Sequence, residues 1–146
     1  MLKEIKEKAI AYAYCFVDEK TIDIINIYQA SKKGMIDAIN KLEIRPEYIL
    51  SDAMPLKEID IPYDAIIKGD TLSASIAAAS IVAKETRDDF MVKMDKVYPG
   101  YGFKNNKGYP TKEHLEALDK LGICKIHRKS YKPVQRTLQK QISLWE

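Results

Sequence analysis

The spacing of apolar and polar positions changes several times along the chain, and each change marks a predicted element. LKEIKEK sets Leu2 and Ile5 three apart with Glu4 and Lys8 at i, i+4, the pattern of the last turns of a helix over residues 1–8. AIAYAYCFV, residues 9–17, is an apolar, aromatic-rich run suited to a buried strand, and DEKT after it reads as a turn. Ile27, Ala30, Met35, Ala38, Ile39 and Leu42 recur at near-helical spacing, which predicts a helix from Asn26 or Ser31 to Leu42 that stops before Arg45 and Pro46. Residues 48–52 form a short strand ending on Asp52, Pro55 and Pro62 punctuate a loop, and residues 64–70 form a second short strand ending on Asp70. The longest helical pattern runs from Thr71 to about Val97, with Thr71 or Ser73 as N-cap. PGYGFKNNKGYPT, residues 99–111, has no periodicity and reads as a loop. Thr111 caps a helix through Leu121 with Gly122 as its stop, and residues 134–145 form a last short helix. Strands alternating with helices give an α/β layer structure, read as one domain over residues 1–146 with a basic helical region at about 98–146.

Composition narrows the class. In 146 residues, 46% are hydrophobic and 31% charged, enough to bury a core without disulfides or structural metal, which excludes collagen-like, disordered and disulfide-scaffold chains. No apolar run nears the roughly 20 residues that cross a bilayer, and the N-terminus alternates Lys and Glu instead of forming a signal peptide. A cytoplasmic protein with no membrane partner is expected, its Cys15 and Cys124 reduced thiols. The net charge of +3 conceals an asymmetry: residues 1–73 hold 10 basic and 13 acidic side chains, residues 74–146 hold 14 and 8. A basic half interleaved with Tyr98, Tyr101, Phe103, Tyr109 and Tyr131 suits a polyanion, or is a solvated lysine-rich surface.

Candidate chemistry starts with the acids at the strand ends. Asp52 and Asp70 on neighbouring strands can converge on one point, and a divalent cation would relieve their repulsion while gaining hard oxygen ligands. Alternatively Asp52 starts a turn and Asp70 helps cap the next helix. That helix is lined with Ser73, Ala74, Ala77, Ala78 and Ser80, which allow close approach to the sheet, and its N-terminus could take a phosphate. Further along, Lys84 and Asp88 are spaced as an i, i+4 surface ion pair. In the 99–111 loop, rings could stack on a base or sugar while Lys104 and Lys107 meet phosphates, or the tyrosines could simply wedge the loop onto the core. KIHRKSYKP sets His127, Arg128, Lys129 and Lys132 in a cationic stretch suited to backbone phosphates, although a single His in such a place is more often a surface or packing residue than a general base.

The blocks IDIINIYQASKKGMIDAI, ILSDA, IIKGDTLSASIAAASIVAKETRD, YPGYGFKNNKGYPTKEHLEAL and IHRKSY together resemble, in order, the motifs of bacterial type 2 ribonuclease H, ribonuclease HII. The resemblance implies a ribonuclease H-like fold, a mixed sheet flanked by helices. It also implies cleavage of the RNA strand of RNA·DNA hybrids and at ribonucleotides embedded in duplex DNA, by two-metal hydrolysis with Mn²⁺ or Mg²⁺. Of the family's four carboxylates, motif match makes Asp52 the third and Asp70 the fourth, both catalytic and metal-holding. Tyr109 matches the residue that packs on the sugar at the RNA–DNA junction, and Lys107 and Arg128 lie in the segment that would hold the duplex backbone. The family's Asp-Glu-Ala-Gly-Arg-Gly strand, source of the first two carboxylates, is absent, and Asp18–Glu19 lacks its glycines and arginine. The expectation is therefore an N-terminally truncated fold, a C-terminal fragment inactive or nearly so, with self-association through the edge left exposed. The alternative is a non-catalytic nucleic-acid-binding module that uses the basic half alone.

Overall fold

The computed structural model describes residues 1–144, so Trp145, within the helix expected over 134–145, lies outside the described residues. The chain divides into two compact units, one comprising Met1–Val17 and Ile27–Glu85, the other Asp18–Asn26 and the residues from Thr86 onward.

In the first unit, α1 (Leu2–Lys8) is the expected short helix, with Lys8 bonded to Glu4 at 2.6 Å. Residues 9–17 do not pair as a strand. Ala11, Ala13, Cys15 and Val17 are half-buried while Tyr12, Tyr14 and Phe16 are exposed, so the period of two is present, but among the described residues no neighbour supplies a ladder. The DEKT turn is instead a helix start: Asp18 accepts from the Thr21 amide at 2.8 Å, and α2 runs Glu19–Asn40 with a break at Asn26 (φ 68, ψ 168), its stretch up to Asn26 belonging to the second unit and the rest to the first. The part expected from Asn26 or Ser31 is therefore the second stretch of a longer, kinked helix.

The described residues hold one two-stranded sheet, β1 (Ile49–Asp52) and β2 (Tyr63–Ile66), parallel, with Ile49 opposite Tyr63 and Asp52 opposite Ile66. Three strands and a mixed sheet were expected; two strands, parallel, are found. Parallel strands need a crossover, and here it is the proline-punctuated segment 53–62, which carries its own apolar anchors. Met54, Leu56 and Ile61 are buried with Ile49 against Met35, Ile36 and Ile39 of α2. Lys32 of α2 pairs with Glu58 of the same segment at 2.9 Å.

After β2 the chain turns at Lys68 (φ 55) into α3 (Gly69–Leu72), so Asp70 stands in a helical turn and not, as expected, at a strand end. Ser73 (φ −127) separates α3 from α4 (Ala74–Val97). Its hydroxyl accepts from the Ile76 amide at 3.4 Å, so of the two expected caps Ser73 is the one that caps the long helix. Close packing at this end comes from Gly69 and the buried Ile76, while Ala74 and Ser80 are exposed.

In the second unit, the 99–111 loop contains a helical turn, α5 (Phe103–Asn106), entered at Gly102 (φ 69) and left at Lys107 (φ 53). Thr111 caps α6 (Lys112–Leu121) by accepting from the His114 amide, and Gly122 (φ 76) ends it, both as predicted. α7 is Lys132–Ser143, with Pro133 in its first turn, where a missing N–H costs nothing. Met91, Tyr101, Phe103, Ala117, Leu118 and Val134 form the core of this unit.

Candidate functional site

Asp52 is the last residue of β1, and its Oδ1 accepts the Gly69 amide at 3.0 Å, which brings the β1 end onto the turn that carries Asp70. Gly69 is buried there: a Cβ on it would lie 2.6 Å from Ile76 Cδ1 and 3.5 Å from Asp52 Cα. Both carboxylates face solvent. Ala53 and Lys68, one next to Asp52 and one next to Gly69, both hold φ of 55, a left-handed conformation that costs a residue with a Cβ roughly 1–2 kcal/mol. Strain of this kind gathers where a loop must present particular groups. Part of the structural alternative is realised, since Asp52 does satisfy a helix-end amide, whereas Asp70 makes no side-chain cap.

Two exposed carboxylates with no lysine or arginine ion-paired to them among the described residues are hard oxygen donors of the kind Mg²⁺ and Mn²⁺ take. The donor chemistry fits a divalent cation. Among the described residues no group of three or more His, Cys, Asp or Glu is placed to hold one.

The second unit sorts the aromatic residues of the 99–111 loop. Tyr101 and Phe103, stacked at 5.2 Å, are buried, as the wedge alternative had it, whereas Tyr109 is 57% exposed. Arg87 of α4 donates to the Tyr109 hydroxyl at 2.9 Å and lies 5.3 Å from its ring centre. Asp88 pairs with this same Arg87, at 3.0 Å, and not with Lys84 as expected. Lys107 is the left-handed residue that closes α5, two positions before Tyr109. Arg128 lies 4.8 Å over the Tyr131 ring, in a turn closed by the Tyr131 amide on the Arg128 carbonyl. Asp23 accepts from the Lys129 and Ser130 amides, each at 2.9 Å, and from the Ser130 hydroxyl. Burial alone would raise the Asp23 carboxyl, but these donors hold it below the usual range.

Of the readings open to it, His127 takes the packing one in the structure. It is 8% exposed, stacked on His114, with its Nε2 2.8 Å from that of His114. Burial, and then His114, push its pKa down to about 4. Neither this pair nor the Arg87–Tyr109 contact was foreseen, because both join residues far apart in sequence.

A family model described as ribonuclease HII matches residues 1–134. The chain belongs to the ribonuclease HII family. It is 51% identical over 138 residues to a ribonuclease HII of Desulfitobacterium hafniense, covering 94% of this chain and 53% of that protein. It is 53% identical over 135 residues to one of Acholeplasma laidlawii, covering 92% and 66%, and 50% identical over 135 residues to one of Enterococcus faecalis, covering 92% and 52%. This ribonuclease HII chain thus spans about half to two-thirds of the length of the curated relatives it matches. In the solved ribonuclease H2 of Pyrococcus horikoshii, 23% identical, 95% of this chain aligns with 74% of that one at a TM-score of 0.78. That agreement establishes a ribonuclease H2-like α/β fold, with the small parallel sheet described above.

Proposed function

We propose that this chain supplies part of the catalytic machinery of a divalent-metal-dependent nuclease. The substrate would be the RNA strand of RNA·DNA hybrids, and single ribonucleotides embedded in duplex DNA. The observation that carries the proposal is the Asp52 carboxylate held on the amide of Gly69, the residue before the exposed Asp70, with the left-handed Ala53 and Lys68 at the two sides of that contact. Asp52 and Asp70 would hold the cation, Tyr109 would pack on the nucleotide sugar, and Lys107 and Arg128 would meet the duplex backbone. Bound Mn²⁺ or Mg²⁺ supplies water activation and neutralises charge at the leaving 3′ oxygen of an in-line displacement. This chain's own part is to hold the two carboxylates apart from competing cations and to present a rigid aromatic ring. With two of the family's four carboxylates, the chain by itself is proposed to be inactive or nearly so, and to self-associate.

The test has two arms. Mn²⁺ added to the labelled chain is expected to broaden the amide signals of Gly69 and Asp70, an effect lost in Asp52→Asn. A fluorescent DNA duplex with one ribonucleotide is expected to bind but not to be cut. A Mn²⁺-dependent cut abolished by Asp52→Asn would refute the claim of inactivity. Absence of any broadening, with binding unaffected by either aspartate, would replace the nuclease reading with a non-catalytic nucleic-acid-binding module.

A further inference from the structure

Tyr109 is exposed, yet every polar atom it has is bonded: its amide donates to the Asn106 carbonyl at 2.9 Å, and its carbonyl accepts the Thr111 amide at 2.8 Å. Its hydroxyl takes the Arg87 hydrogen bond at 2.9 Å, and its carbonyl meets His114 Nδ1 at 2.8 Å. Behind His114 stand the buried His127 and the half-buried Cys124, and their roles are fixed one after another. The Cys124 amide can only donate, so His127 Nδ1, 2.9 Å away, accepts. The neutral His127 then carries its proton on Nε2 and donates to His114 Nε2 at 2.8 Å. His114 accordingly carries its proton on Nδ1 and donates to the Tyr109 carbonyl. The direction runs unbroken from the Cys124 amide through two imidazoles to Tyr109, and one added proton would set two N–H groups face to face. Both rings are seated against Tyr101 and Phe103, at centre distances of 5.1–6.4 Å. Tyr101 is anchored in turn by its hydroxyl on the Gly122 carbonyl at 2.9 Å.

We infer that His114 and His127 are a two-histidine brace that, with Arg87, positions Tyr109 for its nucleic-acid contact. The inference rests on the reading of Tyr109 given under Proposed function. Neither histidine touches substrate; both act through the Tyr109 carbonyl, while Arg87 fixes the other end of the side chain. The gain is preorganisation: a ring already immobile gives up little freedom when a sugar packs on it.

The test uses the full chain with ¹⁵N-labelled histidine and ring-¹³C tyrosine. In the unmodified chain at neutral pH, His114 is expected to show a protonated Nδ1 and His127 a protonated Nε2. Either ring in the opposite tautomer overturns the brace, and this readout needs no variant to fold. His127→Gln keeps an acceptor for Cys124 and a donor for His114, and is expected to leave the Tyr109 ring signals and duplex affinity unchanged. His127→Leu keeps bulk but neither bond. It is expected to move the Tyr109 ring signals along with those of Tyr101, which packs on the lost ring, and to weaken binding of a duplex with one ribonucleotide by about fivefold, the cost of re-ordering one side chain on binding. Tyr109 signals unmoved by His127→Leu overturn the brace. A Tyr109→Ala variant that binds as tightly as the unmodified chain overturns instead the reading on which the brace rests.

Discussion

Gly69 shows how one missing side chain sets the candidate metal site. Its amide reaches Asp52 only because nothing stands where a Cβ would crowd Ile76 and the β1 backbone. Gly69→Ala is expected to cost about 1–3 kcal/mol of stability, the usual range for overpacking, and to weaken Mn²⁺ broadening at Asp70 more than it weakens folding. Urea unfolding and the broadening experiment on the same variant separate the two effects. His127 gives a residue-scale prediction of another kind. Folded, it takes up a proton only near pH 4, whereas an unfolded histidine does so near 6.5. On acidification the unfolded chain therefore gains its proton first. The stability contributed by the neutral ring is complete above pH 6.5 and is lost as pH falls toward 4. Urea midpoints measured across that window are expected to decline, and His127→Gln is expected to flatten the decline. The hydrogen-bonded carboxylates Asp18, Asp23 and Glu58 are held below their usual range, so their contribution is lost in more acid solution. Asp52, Asp70 and Tyr109 were singled out in the sequence by motif. The brace behind Tyr109 was not, since no spacing rule links position 114 to 127 or 87 to 109; only the folded chain brings them together.

At the level of elements, those with local signals at both ends were legible, and those defined by their neighbours were not. α6 carries Thr111 as cap and Gly122 as stop, and it was placed as found. Thr111→Ala is expected to lower stability by about 1 kcal/mol, the usual worth of such a cap, as measured by thermal unfolding. The start of α2 is hidden because DEKT has the composition of a turn, while its side-chain geometry makes Asp18 a cap. The exposed Ile24, Ile27 and Tyr28 also blur the apolar stripe that reveals a helix. Residues 9–17 carry the pattern of a strand, but a strand also needs a partner to pair with. Within the crossover from β1 to β2, Leu56 is 1% exposed, so Leu56→Ala is expected to cost about 2–5 kcal/mol. That is far more than a loop residue usually matters, and a urea titration measures it directly.

For the molecule as a whole, charge and chemistry divide along the sequence. The acidic half contains Asp52 and Asp70, and the basic half contains Tyr109, Lys107 and Arg128. Duplex affinity is therefore expected to fall steeply with salt, and replacing both Lys107 and Arg128 by Gln is expected to lower the slope of log K against log salt by about 2, one for each phosphate contact. A slope unchanged by the pair would place the backbone contacts elsewhere. Among the described residues no helix is long and apolar enough to cross a membrane. The segment AIAYAYCFV has a further consequence. It holds no charge, no proline and no glycine over nine residues, and it shows Ile10, Tyr12, Tyr14 and Phe16 to solvent. Such a stretch is a template for cross-β growth. The unmodified chain is expected to form thioflavin-positive fibres on prolonged incubation, and a single lysine gatekeeper, Tyr14→Lys, is expected to suppress them.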